Sequence, residues 1–514
     1  MRVLQLYCAA AGLLCLPLAV ADLLPAPGAT SVGSRPYVVA NSLSQPRETI
    51  TEDASSWLPT PVPTSRQPIH LSMRDAILLA LRNNPDVESS ELQRVLDKYA
   101  VIVAHYAYLP QFTITGTGNY STGTRPSYAL GPAVSLQTPI GTIVTASYGN
   151  PFSGAPGTVS LNITQPLLKG GGWAFNSASL AQADDQEKMN RLTFKSSVIT
   201  VVVTVINAYR SLVQDYNSLD IQRRAVLRAE QTVQQTTLQV KAGKVSPSDL
   251  LQQKANLAQQ KLATVQQQSS VDNNYQQFLQ ALGLVSTVKI IIDKQITLGK
   301  FVVPDLQKSI QLALENNIEY QTALISLRGT KRALLQAENA ALWTLNMGAS
   351  TSAGQSTGTA TIPASSTGTA GATSIAGGGP SVSFNLTIPI DDKSAKSAIL
   401  SARIGLENAQ IKLQESKEQL VRNVTNQITQ LHNQYAQLTV AMEALKLQAQ
   451  TVADAQIKLK YGQTTVFEVN QLQDQMLSQE TSLVGDKIQL LNAITTFNQT
   501  LGTTLEKWNI TLRY

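Results

Sequence analysis

Apolar residues recur along this chain with two periods, and the order in which the periods alternate predicts its elements. Leu71, Ala76, Ile77, Ala80 and Leu81 share one face at helical spacing, behind Ser72 as a candidate N-cap and Asp75 in the first turn. Pro85 forces a kink or a new start, the pattern resumes from Val87 to Leu109, and Pro110 ends it. The period then changes to two. Phe112, Ile114 and Tyr120 alternate with Thr113, Thr115, Thr117 and Asn119, with Gly116 and Gly118 on the apolar side. The same alternation returns at Val159, Leu161 and Ile163, at Leu345 and Met347, and at Val382, Phe384, Leu386 and Ile388. These segments predict four strands in two hairpins, greasy on one face and wet on the other. A further strand-like stretch runs from Leu136 through Ile143 to Tyr148, within 133–150, and has no counterpart later in the chain. It reads as an extra excursion in the first hairpin.

Beyond Pro166 and Gly170-Gly-Gly172 the helical period returns. Residues 174–240 contain no proline and would span about 100 Å if fully helical. Val198, Val202, Val205, Tyr209, Leu212, Tyr216 and Leu219 alternate spacings of four and three. Val424, Ile428, Leu431, Tyr435, Leu438, Met442, Leu445, Ala449, Val452 and Leu459 do the same, with Gln456 the one polar break. These are coiled-coil seams, and Tyr and Met in them are read as core packing. Each long helix ends at a glycine turn, Gly243 or Gly462. A second helix returns from near Pro247 or Val466 to Leu282-Gly283 or Leu501-Gly502, which predicts antiparallel hairpins about 100 Å tall.

The two halves are copies of one unit. An offset of 219 carries Gly243 onto Gly462, Gly283 onto Gly502 and Val205, Leu212, Tyr216 and Leu219 onto Val424, Leu431, Tyr435 and Leu438. Upstream, Ile77, Ala80, Leu81, Asn83 and Asn84 map onto Ile310, Ala313, Leu314, Asn316 and Asn317 with an offset of 233, and Val159–Thr164 maps onto Val382–Thr387 with 223. The expected organisation is 1–21 a leader, 22–68 a Pro/Ser/Thr-rich flexible segment, 69–284 the first repeat, 285–304 a linker, 305–502 the second repeat and 503–514 a tail.

Composition narrows the class. The 514 residues are 43% hydrophobic but only 14% charged, against roughly 25% in ordinary soluble domains. The net charge of +6 is not concentrated in a basic cluster, so a nucleic-acid partner is not expected. Residues 1–21 carry one early charge, an apolar run and Ala19-Val20-Ala21, the form of a secretory signal peptide. Cys8 and Cys15 are the only cysteines and fall inside it. His70, His105 and His432 lie outside any metal-ligand spacing, and Asp184-Asp185 and Asp391-Asp392 are adjacent in sequence and so diverge. No catalytic residue, cofactor or metal is expected, and the chain is not read as an enzyme.

The strands alone fit either a soluble antiparallel sheet or a membrane barrel. The export signal, the Gly/Ser/Thr-rich stretch from Gly348 to Pro380 and the aromatics Tyr108, Tyr120, Tyr128, Tyr148, Phe152 and Trp173 near strand ends favour the barrel. Four strands cannot close one, so other copies of the chain must complete it.

Residues Ala76–Pro85 with their Leu-Arg-Asn-Asn-Pro core, Leu109-Pro-Gln-Phe, Gln165-Pro-Leu-Leu168, the two glycine turns and the terminal Leu-Gly pairs, in this order, resemble TolC-type outer-membrane efflux proteins. The resemblance covers the chain from about residue 70. It implies a mainly α fold with a β-barrel: duplicated long helical hairpins form a periplasmic tunnel, and each protomer of a homotrimer adds four strands to a twelve-stranded barrel in outer-membrane lipid of a Gram-negative cell. Residues 285–304 and the tail would form an equatorial belt. By resemblance, Gly243, Ser246 and Asp249, with Tyr461, Gly462, Thr465 and Glu468, are the periplasmic tip that gates the tunnel and meets a periplasmic adaptor. Pro110, Gln165, Pro166 and Pro389 mark the strand–helix junctions. Thr464 and Gln471 stand where the family often has Arg and Asp, so the charged gate network is thinner. The implied function is a passive exit duct for small molecules such as drugs or toxic compounds, working with an inner-membrane pump of RND, ABC or MFS type. A barrel-anchored coiled-coil adhesive protein and a polypeptide-secretion duct are the competing readings.

Overall fold

The computed structural model describes residues 69–120, 127–151, 157–243, 245–296, 298–299, 301–353 and 380–512. The leader, the segment 22–68, Phe152 and most of the stretch 348–380 lie outside the described residues, though Gly348–Ala353 belong to a strand.

The chain opens with β1 (Ile69–Leu71), α1 (Met73–Asn83) and α2 (Pro85–Tyr106). Ser72 caps α1 by accepting from the Asp75 N–H at 3.2 Å. Four strands follow without interruption: β2 (Gln111–Asn119), β3 (Ser127–Gln137), β4 (Ile143–Pro151) and β5 (Thr158–Pro166). After a short helix α3 (Trp173–Asn176) come α4 (Ala178–Lys241), α5 (Pro247–Ala281) and β6 (Ile290–Ile292). The second half repeats the plan with α6 (Leu306–Asn316), α7 (Ile318–Ala340), β7 (Thr344–Ala353), β8 (Ser381–Thr387), α8 (Lys393–Lys460) and α9 (Val466–Thr500), and a last turn α10 (Thr504–Lys507) closes it.

Two expectations are corrected. The sheet has six strands in the order β2-β3-β4-β5-β7-β8, not four, so β2 and β5 are separated by a whole hairpin. Its reversal, Thr138-Pro-Ile-Gly141, is a β-turn closed by the Gly141 N–H to Thr138 O at 2.9 Å, with Pro and Gly at their favoured positions. Pro132 hides β3 in the sequence: it cannot donate, and the ladder to β4 skips from Leu130 to Ala133. The second correction is height. Helices α4 and α8 have 64 and 68 residues, but the returning α5 and α9 have 35 each, about 52 Å. The half of α4 nearer the sheet packs instead against α1, α2 and α7.

The seams form two apolar cores, one per repeat. Val198, Val202, Val205, Tyr209, Leu212 and Leu219 are buried with Val271 and Phe278 in the first, and Val424, Leu431 and Leu438 with Leu483, Leu490 and Phe497 in the second. Helix α4 carries an apolar window long enough to cross a membrane, but most of it is buried against protein. The linker serves both cores: β6 joins the first, pairing in parallel with β1, while Leu298 and Phe301 pack on the second. Trp508, Ile510 and Leu512 of the tail lie against the first. Tyr209 is more than a filler: its hydroxyl accepts from the Asp293 N–H at 3.2 Å and donates to its carbonyl at 3.3 Å. Met442 is 48% exposed on a single chain and so departs from the expected seam.

One joint explains the duplicated sequence signatures. Asn84 caps α2 by accepting from the Asp86 N–H at 2.9 Å, and its amide donates to Ala281 O at 3.0 Å. Asn317 caps α7 and donates to Thr500 O at 3.0 Å. Each Asn-Asn pair thus clasps the end of the returning helix of its own repeat.

Ion pairs brace α4 near the sheet. Asp185 meets Arg332 at 2.7 Å and Arg328 at 3.6 Å on α7, while Glu187 takes both arms of Arg94 from α2. Asp184 faces the other way and is exposed, so the two adjacent carboxylates do diverge. Burial pushes the Asp185 carboxyl up, but Arg332, Arg328 and Lys188 together hold it below its usual value. The hydrogen bonds from Arg94 do the same for Glu187, outweighing burial. Both acids therefore contribute stability above their unfolded values of about 4, and that contribution is lost as pH falls through their lower folded values. Asp185→Asn should cost about 2 kcal/mol at neutral pH, less than a fully buried pair, because the Arg332 side chain keeps 23% exposure. The gap in apparent unfolding temperature between variant and wild type should narrow towards pH 3; a gap independent of pH would reject the charge account.

Candidate functional site

The tips are built from glycine and caps. Gly243 has φ 70° and Gly462 φ 73°, the left-handed region that ends a helix and turns the chain. At the first, Ser246 caps α5 by accepting from the Ser248 N–H at 3.2 Å, Pro247 occupies the first helical position and Asp249 lies in the first turn. At the second, Thr465 caps α9 by accepting from the Glu468 N–H at 3.2 Å, and the Thr464 hydroxyl donates to the Glu468 carboxylate. Both acids complement the positive end of their helix. Tyr461 is 78% exposed beside Phe467 at 62%, a large apolar surface for a turn.

A residue set that the sequence reading missed ties the two tips together just inside the caps. Asn470 donates to Gln253, itself buried, and Gln260 donates to Asp474 at 3.3 Å. Burial raises the Asp474 carboxyl, and Arg228 only partly offsets it. Gln253, Asn470 and Asp474 line an open cleft of about 610 Å³ between α5 and α9 together with Gln252, Asn256 and Phe467. Higher up, Arg210 crosses between the repeats, donating to Leu491 O at 2.7 Å, Asn492 at 3.1 Å and Thr495 at 2.7 Å. Desolvation lowers its guanidinium to about 10, which leaves it charged at neutral pH. Among the described residues no group of three His, Cys, Asp or Glu is placed to hold a metal ion.

The junction residues do not form one site. Gln165 and Pro166 end β5 in mid-sheet, whereas Pro110 and Pro389 flank β2 and β8, the two edges. Around Gln165 the packing is dense. The Thr142 hydroxyl donates to the Gln165 carbonyl, Asn176 donates to Gly170 O at 2.8 Å and Gly172 O at 2.9 Å, and the Gly170 N–H meets Asn339 at 2.7 Å. Tyr108 reaches in from the end of α2 to donate to Asn176 O.

Residues 76–284, from the joint helix α1 through the first tip to the Leu282-Gly283 end, match the family described as outer membrane efflux protein. That match spans the first repeat. The fold likeness to solved structures extends over both repeats. The outer membrane protein VceC of Vibrio cholerae has a TM-score of 0.63 at 14% identity, covering 84% of this chain and 96% of that one. The CmeC outer membrane channel of Campylobacter jejuni gives 0.61 at 14%, covering 84% and 86%. The open state of the MtrE outer membrane channel of Neisseria gonorrhoeae gives 0.61 at 12%, covering 84% and 89%. Among curated proteins there is no match. The family match lies in the first repeat, and the shared fold covers 84% of the chain.

Within this fold the sheet carries the most regular chemistry. Paired residues point to the same side, so the register aligns Phe112 and Ile114 with Val134 and Pro132, then Val144 and Ala146 with Ile163 and Leu161, and finally Met347 with Phe384. The opposite side carries Thr113, Thr115, Ser147, Ser160, Asn162, Ser350, Ser381 and Asn385. No Asp, Glu, Lys or Arg occurs in any of the six strands.

Proposed function

We propose that this protein is the exit duct of an export system: a homotrimer whose sheets close one barrel in outer-membrane lipid and whose long helices form a tunnel in the periplasm. The observation that carries the reading is the two-sided sheet, apolar on one face and hydroxyl- and amide-bearing on the other, with both edges unpaired in a single chain. Such edges are not tolerated in hydrocarbon. β2 and β8 run in opposite directions with matching faces, so β8 of one copy can pair with β2 of the next. The match to the efflux family supports transport as the activity. The tips, at the far end of α4 and α8 from the sheet, suit the docking of a periplasmic adaptor, and through it an inner-membrane pump of RND, ABC or MFS type supplies the energy. The duct is passive and carries small molecules such as drugs or toxic compounds.

Single-channel recording of the mature protein in planar bilayers tests this. A small conductance that rises in Asp249→Asn and Glu468→Gln supports a tip-gated duct. No conductance from folded, inserted trimers favours the adhesive alternative. The tips are tested separately by Gly243→Pro and Gly462→Pro, because proline fixes φ near −65° where these residues need about 70°. Trimers should survive while adaptor crosslinking falls roughly tenfold, the effect of about 1.4 kcal/mol at the contact. Full crosslinking and export in both variants would remove the tip assignment.

A further inference from the structure

We propose that the β3–β4 hairpin is a pore-widening element that gives the barrel six strands per protomer, eighteen in a trimer, and so sets the size of cargo the mouth admits. The proposal rests on the exit-duct reading above.

The hairpin is part of the wall and not a plug. β3 pairs with β2 over its whole length, from Gln111↔Ser135 to Asn119↔Ser127, and β4 pairs with β5 from Ile143↔Thr164 to Gly149↔Thr158. Its faces continue those of its neighbours: Leu130, Val134, Leu136 and Val144 lie on the apolar side, Ser135, Thr145 and Ser147 on the polar side. The turn of the hairpin is seated on the strand–helix junction. The Gly172 N–H donates to Ile140 O at 3.3 Å, and a Cβ at Gly141 would lie 2.7 Å from both the Asn176 amide and Gly170 O. The Gly170-Gly-Gly172 run and Asn176 thereby gain a purpose beyond ending β5: they hold the base of the extra hairpin.

The duplication identifies the hairpin as the added part. β2 and β5 correspond to β7 and β8, which pair directly in the second repeat. An insertion of two strands leaves strand direction and face unchanged at both edges, so the sheet can still close through neighbouring copies. Barrel diameter grows about linearly with strand number, so eighteen strands in place of twelve widen the mouth about 1.5-fold. With no charged residue in the strands, the wall imposes no strong preference for ion sign, and bulk becomes the property it sorts.

Two measurements test this. Polyethylene glycols of graded size are added to planar bilayers on the side away from the tips, with wild type and with a variant in which residues 120–157 are replaced by an Asn-Gly turn. Wild type should admit polymers about 1.5-fold larger in radius than the variant. The same cut-off in both overturns the proposal. Because the variant has to re-pair its sheet, the full-length chain carries the second measurement. Directly opposed residues are close enough for a disulfide, and both natural cysteines lie within residues 1–21. Thr113→Cys with Ala133→Cys should oxidise in folded trimers, and Thr113→Cys with Asn162→Cys, the pair opposed if β2 met β5 as β7 meets β8, should not. The reverse pattern places β2 against β5 and overturns the proposal. A formed 113–133 disulfide in trimers that conduct nothing upholds the strand count and strikes the exit-duct reading instead.

Discussion

Gly283→Ala and Gly502→Ala should each cost about 3 kcal/mol or more, from a left-handed backbone penalty of about 1–2 kcal/mol and an overlap that packed backbone cannot relieve. Their φ angles are 70° and 73°, and an added Cβ would stand 2.3 Å from Asn83 O and 2.4 Å from Asn316 O. Both contacts are with the Asn-Asn joint that clasps the helix end, so a shift there also strains the Asn84 and Asn317 hydrogen bonds. Gly243 and Gly462 have the same φ but open space around them, so alanine there should cost about 1 kcal/mol, the backbone part alone. The measurements are the apparent unfolding temperature of detergent-purified protein and its abundance in the outer membrane. Equal losses at all four glycines would mean that the clasp contributes nothing.

Phe278→Ala should destabilise by about 3–5 kcal/mol, the usual range for a large core aromatic. Phe278 is 0% exposed, and its ring meets Tyr209 edge-on at 5.7 Å. Tyr209 in turn holds Asp293 by two hydrogen bonds, so the cavity would loosen the linker as well as the first core. The duplication supplies a control. Phe497 is the equivalent residue, and the residue equivalent to Tyr209 is Ile428, which has no ring to offer. Phe497→Ala should therefore cost about 1 kcal/mol less, the worth of an aromatic pair. Limited proteolysis within 285–304 separates the two accounts: faster cleavage in the Phe278 variant alone is expected, and equal cleavage would disconnect Tyr209 from the linker.

What the sequence discloses follows from how local each signal is. Ser72, read from the sequence as a cap, does cap α1, and Asn84, Ser246 and Thr465, not read as caps, act within three residues of themselves in the same way. The seams are legible for the same reason, since a heptad needs only its own helix. The β3–β4 hairpin was half visible: its Thr138-Pro-Ile-Gly141 turn is a local signal, but Pro132 breaks the alternation that announces a strand. The return helices were legible, from near Pro247 to Leu282 and from Val466 to Leu501; what the sequence overstated was the height of the hairpins, because α4 runs on past the end of α5 and packs there against α1, α2 and α7. Arg210 and the Gln253–Asn470 pair could not be found at all, because each spans the two repeats and depends on how they pack.

The buried residues of α4 run almost without a break from Phe194 to Ala225, and beyond that point only Thr236 is enclosed within one chain. The last five turns before Gly243 therefore enclose little apolar area, and Lys261 of α5 meets Glu230 there at 2.8 Å. Elements with so little enclosed apolar area open at small free-energy cost while the rest stays folded. Backbone amides of residues 226–243 should thus exchange with deuterium far sooner than those of 198–219, which makes α4 stiff along its middle and yielding towards the Gly243 turn.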